Sequence, residues 1–78
     1  MKKPDLCVVV TFYTTAAAME WETACKAVRI PGKLISAPRA LAADCGIAWQ
    51  SPAVQKSSLE TLARERDLEF DRMCEEAL

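Results

Sequence analysis

From Leu6 to Phe12 the chain reads Leu-Cys-Val-Val-Val-Thr-Phe, apolar at nearly every position and rich in β-branched residues. An unbroken apolar run of that length predicts a central strand buried on both faces. Thr14 or Thr15 then offers an N-cap, and Ala17, Trp21, Ala24, Cys25 and Val28 recur at helical spacing. They predict one face of an amphipathic helix, with Glu20, Glu22, Lys26 and Arg29 largely off it. Pro31-Gly32 stops that helix. Lys33 to Ser36 is short and partly apolar, as an edge strand is. Gly46 to Gln50 predicts a third strand, broken by Ser51-Pro52. Val54 to Arg66 predicts a second helix, with Val54, Ser58, Leu62 and Leu59 toward the core. Leu68 to Arg72 alternates apolar and polar residues, which predicts a last, half-exposed strand. Met73 to Leu78 is rich in helix formers, so a continuation of the second helix to the C-terminus stands as the alternative.

The order strand, helix, strand, strand, helix, strand is the split βαβ of an α+β, ferredoxin-like fold, with a four-stranded antiparallel sheet and two helices on one face. Its first and third strands are central, and here they are the most apolar. The helix-free face then carries Cys7, Val9 and Ala48 beside Glu69 or Asp71, and a homodimer or partner contact is expected there.

With 78 residues, positions 1–78 form a single domain, too short for both a core and a deep substrate cleft. The net charge of −1 argues against nucleic acid, whose binders carry a surplus of basic residues. No stretch approaches the roughly 20 apolar residues of a membrane span. Met1-Lys2-Lys3 resembles the start of an export signal, but the apolar run after it is short and no small-residue cleavage site closes it. A cytoplasmic location is expected.

The four cysteines, Cys7, Cys25, Cys45 and Cys74, stand 18, 20 and 29 residues apart, and there is no histidine. A zinc site would need all four to converge without help from local spacing. Free thiols, with no metal and no cofactor, are the expectation. The missing histidine also removes the usual general base and the usual activator of a nucleophilic cysteine, so independent enzymatic turnover is not expected.

One thiol stands apart. In Pro38-Arg39-Ala40-Leu41-Ala42-Ala43-Asp44-Cys45-Gly46 a run of small residues leads to a Cys-Gly pair at the entrance to the third strand. A thiol there is held by a rigid element and still meets a partner. Gly46 beside it lets the backbone come close to whatever the sulfur carries. Arg39, and less directly Lys33 on the neighbouring strand, supplies positive charge for a thiolate. Asp44 pushes the other way. Pro38 shapes the loop. Cys7 and Cys25 are read as packing residues. Cys74 is a tail cysteine with a resolving role as its functional alternative. Trp49 either fills the core or roofs the thiol.

The strand Val8-Val9-Val10-Thr11-Phe12, Thr14-Thr15, Ala18, Glu22, Lys26, Ile30-Pro31, the segment Leu34 to Arg39 and the pair Cys45-Gly46 together resemble the selenium/sulfur carrier protein-like family of small bacterial and archaeal domains. The similarity covers roughly residues 6 to 50, and its specific part is the Pro-Arg to Cys-Gly segment. The resemblance implies a carrier that holds sulfur or selenium on Cys45 as a persulfide or selenosulfide. A donor such as a cysteine desulfurase would load it, and an acceptor protein would receive the cargo. The chain departs from the family at Ala42-Ala43-Asp44, where small hydroxylated residues are common. The competing reading is a non-catalytic interaction or assembly module that uses the open sheet face or the 37–46 loop.

Overall fold

A computed structural model describes residues 6–38 and 46–77. The elements are β1 (Leu6–Thr11), α1 (Thr15–Ala27), β2 (Lys33–Ser36), β3 (Ile47–Pro52), a 3-10 turn (Ala53–Gln55), α2 (Lys56–Arg66) and β4 (Arg72–Ala77). The strands form one antiparallel sheet in the order β2-β3-β1-β4. This is the expected ferredoxin-like arrangement, with β1 and β3 central.

β1 explains its own sequence. Val8, Val10 and Phe12 face the helices and Val9 and Thr11 face the other way, and all five are fully buried. Both helices lie on one face. Ala18, Trp21, Ala24 and Cys25 of α1 and Leu59, Leu62 and Ala63 of α2 share a core with Val8, Val10, Phe12 and Trp49. Trp21 is its centre, edge-on to Phe12 at 5.5 Å and to Phe70 at 5.4 Å between ring centroids.

Thr14 is the N-cap of α1, its Oγ1 accepting from the Ala17 N–H at 3.1 Å. The buried stripe runs through Ala18, with Ala17 half-buried and Val28 at 45 % exposure. Val28 leaves the stripe because the helix ends there. Arg29 turns left-handed (φ 61°), and the Ile30 and Arg29 N–H groups close back on the Cys25 and Lys26 carbonyls. That is a Schellman cap, and it stops α1 before Pro31-Gly32 is reached.

Two expectations in the second half are corrected. α2 begins at Lys56 after the 3-10 turn, so Val54 falls outside its phase and is 83 % exposed, and Ser58 is exposed too. The buried set is Leu59, Leu62 and Ala63. The last strand occupies Arg72–Ala77, not 68–72, and α2 does not continue. Asp67, left-handed at φ 53°, ends α2, and the Leu68 N–H bonds the Ala63 carbonyl at 2.9 Å. Leu68 and Phe70 are core residues of a connector, and their alternation mimics a strand. The helix-prone residues that follow are held extended by pairing along all of β1.

The helix-free face also differs from expectation. Val9 and Ala48 have no exposure, with Ile35, Ala37 and Cys74 packed against them, and Thr11 is equally covered. Its centre therefore offers no exposed apolar patch.

Candidate functional site

β2 leaves the sheet at Ser36 and β3 enters it at Ile47, and the two residues pair. One step further, the Ala37 N–H donates to the Gly46 carbonyl at 2.9 Å. This bond ties the chain just before Pro38 to the chain just after Cys45. Gly46 has φ +74°, and a Cβ built on it meets nothing within 4 Å. Its backbone conformation, and not a crowded approach, is what calls for glycine here. Pro38, next to Ala37, is half-buried. The remaining residues expected at the site, Arg39, Asp44 and Cys45, lie outside the described residues. Cys45 is nevertheless one peptide bond from a hydrogen-bonded, conformationally committed residue.

The same end of the sheet carries a polar cluster that sequence reasoning missed. Thr11 ends β1 opposite Ala48 on one side and Arg72 on the other. The Thr11 hydroxyl donates to Asp71 Oδ2 at 3.4 Å, and the Asp71 N–H donates to the Thr11 carbonyl at 2.7 Å. Arg72 Nε lies 3.9 Å from the same Asp71 oxygen and remains half-exposed. Its guanidinium stands at the same end of the sheet as Gly46 and is a candidate anion contact. Finding it needs the register of β4 on β1, which one sequence does not display.

Lys33 is not at this end. It opens β2 opposite Gln50, four residues before Ala37, or about 14 Å along an extended strand. That places it at the opposite end of the sheet from Gly46, while Cys45, beside which it was expected, lies outside the described residues. Trp49 fills the core, its Nε1 donating to Ser51 Oγ at 2.6 Å.

The three described thiols have different surroundings. Cys25 is fully buried in the helix-side core, and desolvation pushes its thiol up to about 11. It stays protonated and inert at neutral pH. Cys74 is half-buried on the helix-free face, packed on the same Val9–Ala48 pair as Ala37. Cys7, read as a packing residue, lies on the helix-free face where it was expected. It is half-buried at the far end of that face, its Sγ accepting from Gln50 Nε2 at 3.3 Å. Cys25 therefore points away from the other two, and the three do not converge on one centre.

Comparison with known proteins adds one finding. A family model described as "Putative Se/S carrier protein-like" matches residues 7–75. The match runs well past the loop, through α2 and into β4. No curated protein and no solved structure matches the chain.

Proposed function

The chain belongs to the Se/S carrier protein-like family, and from that premise we propose that it carries sulfur or selenium on Cys45 as a persulfide or selenosulfide. The observation that supports the position is the committed base of the loop. Gly46 at φ +74° and the Ala37–Gly46 hydrogen bond pin the residue beside Cys45 to the end of β3. A carrier needs a thiol that is accessible to two partners in turn and anchored at one side, more than it needs a pocket.

Loading follows thiol exchange. The Cys45 thiolate attacks the outer sulfur of a donor persulfide, such as that of a cysteine desulfurase. The donor's S–S bond breaks, and its thiolate leaves and takes up the proton that Cys45 gave to solvent. In delivery an acceptor nucleophile attacks the same outer sulfur, and the Cys45 thiolate is the leaving group. No net electrons are exchanged and no cofactor is required. Arg39 and the exposed Arg72 supply positive charge to the persulfide anion, and Asp44 opposes it. Pro38 and Gly46 hold the loop's two ends. The protein has no turnover of its own and works in the cytoplasm between donor and acceptor.

The test is to incubate the reduced protein with a cysteine desulfurase and cysteine, then read intact mass and map the adduct. One added sulfur on Cys45, lost in Cys45→Ser, is expected. No adduct, or an adduct that persists unchanged in Cys45→Ser, overturns the assignment.

A further inference from the structure

At the end of the sheet opposite Gly46, β1 begins, β3 finishes and the Pro31-Gly32 turn leads into β2. These pieces enclose an open cleft of about 770 Å³, within the range of small-molecule sites. Its walls are mostly apolar, from Leu6, Pro31, Pro52 and Val54, and Cys7, Lys33, Gln50 and Ser51 are the polar residues among them.

The cleft is built and not incidental. Gly32 packs so closely that a Cβ there would come within 2.4 Å of the Trp49 ring and 2.6 Å of both the Gln50 carbonyl and Ser51 Oγ. Ser51 Oγ, which accepts from the Trp49 indole, donates to the Pro31 carbonyl at 2.8 Å. The turn is thereby tied to β3, and the wall it forms is fixed. Gln50 holds Cys7 Sγ with its amide and stands opposite Lys33 across the β2–β3 pair. Among the described residues Lys33 has no carboxylate partner. An apolar cleft with a held sulfur and an unpaired ammonium suits a small sulfur compound bearing a carboxylate.

We propose that this cleft binds low-molecular-weight persulfides carrying a carboxylate, with the carboxylate at Lys33 and the sulfur at Cys7, and that Cys7 accepts their outer sulfur. The step balances as an exchange. The Cys7 thiol gives its proton to solvent, and the thiolate attacks the outer, protonated sulfur of R–S–SH. The small molecule's S–S bond breaks, R–S⁻ leaves and is reprotonated, and Cys7 becomes a persulfide. The Gln50 amide N–H, 3.3 Å from Cys7 Sγ, holds the sulfur in place through the exchange. This entry is separate from protein-borne loading at Cys45 and does not depend on it.

Two measurements test the proposal on the intact protein. In the first, Cys7 and Cys74 are alkylated under native conditions with iodoacetate and with iodoacetamide, and each site is followed by peptide mapping. Relative to iodoacetamide, iodoacetate should favour Cys7 over Cys74 by roughly threefold, the worth of one partly exposed charge contact. Lys33→Ala should abolish the preference while leaving the circular dichroism spectrum and thermal midpoint unchanged. In the second, the protein is exposed to cysteine persulfide and mapped. Added sulfur is expected on Cys7 in the wild type and in Cys45→Ser alike, and in Cys7→Ser the total sulfur added should fall by that amount. Equal iodoacetate preference at Cys7 and Cys74, or sulfur from cysteine persulfide on Cys45 alone, overturns the inference. Desulfurase loading of Cys45 is read separately, so either assignment can fail while the other stands.

Discussion

Gly32 and Gly46 are the only glycines in the chain, and they are required for opposite reasons. Gly32 has no room: a Cβ there collides with backbone and with a buried ring. Gly46 has room but a left-handed φ of +74°. Gly46→Ala should cost about 1 kcal/mol from conformation alone, and Gly46→Asn should cost less, since Asn tolerates that region. At Gly32 the order reverses. Alanine overpacks the Trp49–Ser51 contact at roughly 1–3 kcal/mol, and the larger asparagine costs more. Denaturant midpoints of the four variants test the pair, and the same ranking at both sites would refute it. Cys25 gives a second prediction at this scale. Its folded-state thiol is raised to about 11 against an ordinary 9.0, so the folded state favours the proton. That contribution is fully present below pH 9 and is lost as the pH climbs from 9 toward 11, on the order of 2–3 kcal/mol in all. The wild type should lose stability across that window relative to its value at pH 8, and Cys25→Ala should show a shallower fall.

Both helices end on a non-glycine residue in left-handed conformation, Arg29 at φ 61° and Asp67 at φ 53°. Each supplies the turn that lets the following N–H reach back to a helix carbonyl. The conformation costs an ordinary residue about 1 kcal/mol that glycine avoids, partly offset by glycine's greater freedom when unfolded. Arg29→Gly and Asp67→Gly should therefore each stabilise the fold by roughly 0.5 kcal/mol, read as a raised thermal midpoint, and a lowered midpoint would refute this. These caps also explain what the sequence conceals. A helix that ends on Arg or Asp shows no glycine signal, so Pro31-Gly32 looks like the stop of α1. The end of α2 at Arg66 is read correctly, but Asp67 gives no glycine signal, so a continued helix stays open beside a strand at 68–72. Composition misleads again at Arg72–Ala77, where good helix formers become a strand because β1 has a free edge to pair. The long-range pairing, not local preference, decides that element.

At the scale of the whole molecule, the fold was readable because β1 is apolar on both faces and helix and strand periods alternate cleanly. The site was only half readable. The Cys45-Gly46 pair is visible in one dimension, but Cys7, Gln50 and Lys33 come together through strand register. That same register places Val9 and Ala48 at the centre of a face with no helix over it among the described residues, yet both are without exposure, as are Val8 and Val10 beneath the helices. An uncovered sheet face would leave such side chains partly wet, and truncating them would then cost little. Here the burial is equal on the two sides, so the cost should be equal as well. Val9→Ala and Val10→Ala each remove two buried carbon atoms and leave a small void, for about 2 kcal/mol apiece. If the midpoint of Val9→Ala falls by much less than that of Val10→Ala, the helix-free face is open in solution. A matched loss means that the sheet is dry on both faces at its centre, as the equal burial of Val9 and Val10 requires.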